Sequence, residues 1–220
     1  MPKAAASPYS VHPSVAYVQA ILGNLEKNTG KDLDAWVALL IGSGLPEEKA
    51  RRAWLKEQGL GGTQAGFVAE RSMGQSAHAF DDTPEGYLAM APKYVDQQYA
   101  GRKAALRPIF EALVALAREL GPDVKVCPCE TIVSLYRNHV FAQIRPATSA
   151  RVDLGLALGD PAAVKEPKGR LVDTGGFAKK DRLTHRIEVT SLKDIDEGLK
   201  AWLKRAYEKD ALSAPSARVG

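Results

Sequence analysis

Two cysteines, Cys127 and Cys129, stand one residue apart in the stretch 124–153, VKVCPCETIVSLYRNHVFAQIRPATSARVD. In an extended strand, residues i and i+2 point to the same face, so the two thiols would sit side by side unless Pro128 breaks the strand. Two thiolates are half of a tetrahedral zinc site, and His139 and His185 could complete it. A second set is basic. Arg137, His139, Arg145, Arg151, Arg182 and Arg186 recur at intervals through the second half, with Lys179 and Lys180 between two of them. The planar guanidinium fork suits phosphate or carboxylate, so these six residues are expected to face an anionic ligand, nucleic acid included. The competing expectation is a solvated charged face with internal partners at Asp153, Asp173, Asp181 and Glu188.

Catalytic spacing is weaker. Thr131, Ser134 and Thr184 lie near a histidine in sequence, but neither a GxSxG elbow nor an HExxH motif is present. A metal-dependent or hydrolytic enzyme would have to draw on Cys127, Cys129, His139, Asp153 and His185. Asp173-Thr174-Gly175-Gly176 could line an anion site through backbone N–H groups, or form an ordinary glycine-rich turn. No cofactor is expected.

The totals narrow the class. Hydrophobic residues make up 45% and charged residues 25% of the 220, ordinary usage for a folded globular chain. No apolar run approaches the roughly 20 residues that span a bilayer, so no membrane partner is expected. The first residues have no apolar core of a secretory signal, and two free thiols suit a reducing compartment, so the cytoplasm is expected. Residues 1–100 carry 9 Lys+Arg against 11 Asp+Glu, whereas residues 101–220 carry 21 against 15. The second half is therefore the partner of choice for anions.

The elements that must position these side chains change period part-way along. Residues 1–13 read as a flexible arm. Residues 14–75 read as a helical module. Its first helix starts at a Ser14 cap and carries Val18, Ile21, Leu22 and Leu25 on one face. A second helix carries Leu33, Trp36, Val37 and Leu40, and a third is opened by Pro46. Gly59–Ala65 resembles a helix-hairpin-helix turn; the ordinary reading makes Gly59 the residue that ends one helix and Thr63 the cap of the next. Residues 76–101 read as a linker with short helices broken at Pro92. A longer helix follows, and Pro108 marks either its kink or its true first turn.

After Gly121-Pro122 the spacing drops from 3.6 to 2. Val140, Ala142 and Ile144 alternate with His139, Phe141, Gln143 and Arg145, and Val152, Leu154 and Leu156 alternate with Arg151, Asp153 and Gly155. Short turns between these runs predict antiparallel neighbours. A final helix is expected from Leu192, with a capping box at Ser191–Asp194 and a stripe of Ile195, Leu199, Trp202, Leu203 and Ala206. The fold class expected is α+β: an all-α module, then an antiparallel sheet flanked by two helices over 102–210, then a frayed tail at 211–220. The helices should cover one sheet face and leave the other to carry a site. Self-association through the helical module is a further possibility.

Two stretches resemble known families. Leu25–Lys31 with Trp36, Trp54-Leu55-Lys56 and Gly59-Leu60-Gly61 resemble domain of unknown function 4287. Tyr99–Lys103, Arg151–Leu156 and Trp202–Tyr207 resemble domain of unknown function 5655. Neither resemblance implies an activity. The second is similar to small α+β domains that accompany nuclease-like or other DNA-handling domains, which is an association rather than a mechanism.

Overall fold

The computed structural model describes residues 7–74, 83–164 and 169–213. The first part of the linker expected over 76–101, the end of the tail, the start of the arm and residues 165–168 lie outside the described residues. The chain divides into two compact units, one built mainly on His12–Tyr87 and the other on Leu88–Ala217.

The first unit is helical. Helix α1 (Pro13–Thr29) is capped by His12, whose imidazole accepts from the Ser14 amide, and Pro13 fills the first turn where its missing N–H is not needed. The cap therefore lies two residues before the expected Ser14. Helix α2 (Leu33–Gly42) is capped by Asp32, which accepts from the Ala35 amide at 2.8 Å. Helix α3 (Glu48–Glu57) starts two residues beyond Pro46, and α4 (Gly62–Ser72) begins after Gly61 with no side-chain cap, so Thr63 is inside the helix. Gly59 does end α3, in the left-handed region at φ +92°. Leu25, Trp36, Leu40, Leu55, Leu60 and Val68 form this unit's core. The buried Trp36 ring donates through its N–H to Thr29 Oγ1 at 2.9 Å.

Helix α5 (Pro84–Gln98) runs unbroken through Pro92, contrary to the break expected there. One lost amide donor is tolerated because Ala91, Tyr94 and Val95 on either side are fully or almost fully buried and hold the helix by packing. A 3-10 turn (Gly101–Leu106) then leads into α6 (Arg107–Glu119), with Pro108 in its first turn.

The sheet comprises β1 (Lys125–Pro128), β2 (Val133–Tyr136), β3 (Val140–Pro146), β4 (Val152–Leu156), β5 (Leu171–Asp173) and β6 (His185–Val189). Every pairing is antiparallel, in the order β1-β2-β3-β4-β6-β5. One face is apolar: Val126, Leu135, Ala142, Ile144, Leu154, Leu156 and Ile187 share a core with Ile109, Phe110, Leu113 and Ala117 of α6. Helix α7 (Glu197–Ala211) adds Leu199, Leu203, Ala206 and Tyr207 to that core. The capping box at Ser191 and Asp194 closes a separate 3-10 turn, and α7 itself starts later, capped by Asp196 on the Leu199 amide.

Two local departures shape the site. The register shifts between Leu135 and Tyr136, so Phe141 is an extra residue in β3. The bulge turns Phe141 into the core, edge-on to Tyr207 at 5.6 Å, although simple alternation would place it with Gln143. The arm is also not loose over its described part. The Ser10 amide donates to the Val126 carbonyl at 2.9 Å, and Tyr9 packs on the sheet core.

Candidate anion-binding surface

The register defines the polar face. Cys127, Ser134, Gln143, Gly155 and Arg186 pair across β1, β2, β3, β4 and β6, and two residues further along Arg145 pairs with Asp153 and Asp153 with Glu188. A period of two puts all of them on the face opposite α6 and α7. This face is not simply left open, as expected: Cys127, Ser134 and Asp153 are buried on it. Gln143 donates to Ser134 Oγ at 3.2 Å, and Leu183 lies 3.3 Å from where a side chain at Gly155 would begin.

Arg145, Arg151 and Arg186 gather here around two carboxylates. Arg151 reaches Asp153 Oδ1 and Glu188 Oε1, both at 2.9 Å. Arg186 donates to the same Glu188 oxygen at 3.1 Å, while Arg145 is looser, 3.5 Å from Asp153 with 57% of its side chain exposed. The buried Asp153 requires this countercharge, because an unpaired carboxylate out of water is costly. Three guanidiniums against two carboxylates leave the group one positive charge in excess. Its hydrogen bonding is also incomplete. Arg151 Nε and Asp153 Oδ1 are an ion pair at 2.9 Å but are not aligned for a hydrogen bond, and the buried Nε–H of Arg186 has no acceptor among the described residues.

Arg137, His139 and Arg182 belong elsewhere. They surround the end of α7 and the β2–β3 turn, away from the Arg145 group. Asp210, buried on α7, accepts from the Asn138 and His139 amides at 2.8 and 2.9 Å and from the Arg182 guanidinium. The His139 imidazole lies 3.3 Å from the same carboxylate, and Arg182 Nε donates to the Val140 carbonyl at 2.7 Å. Arg137 lies 4.1 Å from the Tyr207 ring centre and donates to Asp123 at 2.6 Å. The Tyr207 hydroxyl donates to the other Asp123 oxygen at 2.6 Å. That hydrogen bond first, and Arg137 second, hold the Asp123 carboxyl below its ordinary range, and the same bond raises Tyr207. The expected single surface of six basic residues is thus two groups, and the second is a clasp between turn and helix. Asp123, Asn138, Tyr207 and Asp210 were not anticipated. The legible signal was Asp210 itself, which falls at helical spacing from Leu203, Ala206 and Tyr207 on an otherwise apolar stripe.

The proposed catalytic and metal-holding constellation is not assembled. Among the described residues no three of His, Cys, Asp and Glu come together as a metal-holding group. Cys127 is on β1 and His185 on β6, four strand spacings or about 19 Å apart. They also face opposite ways: His185 shares its register row with Leu156, Ala142, Leu135 and Val126. His185 is buried and bonds Thr184 Oγ1 at 2.8 Å, and burial is the main cause that lowers its pKa below the ordinary imidazole value. Burial pushes the Cys127 thiol up to about 12 and the Cys129 thiol up to about 11, so neither is a thiolate at neutral pH. In the Asp173–Gly176 turn the Gly175 amide is already taken by Asp173 Oδ1 and the Gly176 amide by Thr174 Oγ1. It is the ordinary turn of the two readings.

What these observations define is an α+β domain with a helix-backed antiparallel sheet and a charged cluster on its other face. Residues 95–210, which span this domain, match the family described as Domain of unknown function (DUF5655), and the chain belongs to that family. No curated protein and no solved structure matches the chain. No helix among the described residues is long and apolar enough to cross a membrane.

Proposed function

We propose that the protein is a non-enzymatic binding module whose Arg145, Arg151 and Arg186 cluster takes an anionic group, with nucleic acid as the ligand class. One observation carries this reading: three guanidiniums meet two carboxylates on this face, and Arg145, the most loosely held of the three, has 57% of its side chain exposed. A phosphate oxygen is the acceptor a guanidinium fork fits best. The excess of basic residues in the second half favours the same class. In this reading the module works in a reducing cytoplasm, consistent with its free cysteines. The domain limits would be 14–75 and 102–210, with the helical part akin to domain of unknown function 4287 and available for self-association.

Affinity for single-stranded DNA, duplex DNA, RNA and free nucleotides at two salt concentrations tests the proposal. Binding should weaken as salt rises. Arg145→Gln should cost about tenfold, near 1.4 kcal/mol, for the loss of one charged contact. Absence of binding to every one of these ligands at low salt would overturn it.

A further inference from the structure

The loop between β5 and β6, residues 174–184, is built as a rigid platform. Thr174 donates through both its amide and its hydroxyl to the Thr184 carbonyl, at 3.0 and 2.9 Å. Gly176 is buried, and a side chain there would begin 2.6 Å from the Leu183 carbonyl oxygen. Its own carbonyl accepts from the Asp181 amide at 2.8 Å, while Phe177 accepts from the Lys180 amide at 3.0 Å. This pair of bonds is the Schellman pattern, which places one residue in the left-handed region where glycine is usual. Here that residue is Lys180, at φ +61°. Arg182 fastens the loop's return through Val140 and Asp210.

What the platform presents is unusual for this unit. Phe177 is 49% exposed, while every other aromatic side chain described in residues 88–213 is buried or partly buried. Lys179 and Lys180 are exposed beside it and make no ion pair among the described residues, unlike all five arginines expected to bind the ligand. Asp181 is also on the loop and offsets part of the charge. Lys180 holds this conformation, uncommon for a residue other than glycine, because the surrounding hydrogen bonds fix it.

We infer that Phe177, Lys179 and Lys180 form a contact site for single-stranded nucleic acid, the phenyl ring stacking on a base and the two lysines meeting the flanking phosphates. This rests on the nucleic-acid reading above and deepens it by adding a contact in the β5–β6 loop. A single strand offers free base faces, whereas a duplex has its bases already stacked. One exposed ring with two lysines is too small an anchor for a lipid surface, where even a whole myristoyl chain holds only marginally.

The test uses the full chain and a fluorescent twelve-residue oligothymidylate, its duplex with oligoadenylate, and vesicles of anionic phospholipid. Phe177→Ala should weaken oligothymidylate binding about tenfold and leave duplex binding unchanged. Phe177→Trp should restore it. Replacing both lysines by glutamine should flatten the slope of log affinity against log salt by about 1.4, at roughly 0.7 per phosphate on a single strand. Lys180→Gly should raise the melting temperature and still weaken binding, which a purely structural lysine would not do. If wild type binds oligothymidylate and Phe177→Ala binds it equally well, this inference falls while the Arg145 reading stands. If wild type binds no nucleic acid, both fall. Vesicle binding that depends on Phe177, with oligothymidylate binding indifferent to it, would also overturn the inference.

Discussion

Asp210 shows how one carboxylate can draw residues away from an expected ligand site. Its two oxygens gather two backbone amides and a guanidinium, with an imidazole alongside. Asp210→Ala would leave Arg182 and the turn amides uncompensated. We expect a loss of about 3 kcal/mol in a urea titration, since removing one partner of a buried pair costs more than the pair contributes. Asp123 gives a pH dependence. Its native carboxyl lies below the ordinary range, so its stabilisation is fully present above that range and is lost as pH falls through the depressed native value. Asp123→Asn should therefore make thermal stability less sensitive to acidification, measured by melting curves stepped down from neutral pH. The thiols follow chiefly from burial. With Cys127 pushed up to about 12 and Cys129 up to about 11, neither should react with a disulfide reagent in the native protein at neutral pH. Both should react at once in denaturant.

At the level of elements, alternation identified the sheet but not its faults. Val140, Ala142 and Ile144 were readable as a strand because a pleated backbone sends every second side chain to the core. The bulge at Phe141 was not readable, because it depends on how the β2–β3 turn closes under Tyr207. The helices behave alike. Spacing placed Leu199, Leu203 and Ala206 on one stripe, yet the start of α7 moved to Asp196 because two capping signals lie close together and the first closes only a 3-10 turn. The β5–β6 loop has one residue that only glycine fits by space. Gly176→Ala would drive a methyl group against the Leu183 carbonyl, and a loss of about 2 kcal/mol is expected by denaturant unfolding.

For the whole molecule, the two hydrophobic clusters share no residue. Trp36 and Trp54 report on the helical cluster and Trp202 on the sheet. Fluorescence of a variant keeping only Trp202 and of one keeping only Trp36 should then show different urea midpoints, as expected for units with separate cores. Coincident midpoints would instead show that the chain unfolds as one cooperative body. The charge asymmetry belongs to this scale as well: the sign of the second half was in the composition, but the pairing of its arginines was not.

The sequence by itself determined the class of fold, because periodicity is a local property that burial of one face enforces residue by residue. It also determined the resemblance of the second half to its family, and that Arg145, Arg151 and Arg186 stand on or beside strands with Asp153 and Glu188. Only the tertiary structure decided which of these charges meet. Strand order puts β6 beside β4, which joins Arg186 and Glu188 to Asp153, and it sets His185 four strands from Cys127. Docking of α7 takes Arg137, His139 and Arg182 out of the expected surface. Pairing across strands and helices brings together residues tens of positions apart in the chain, and no local spacing encodes that choice.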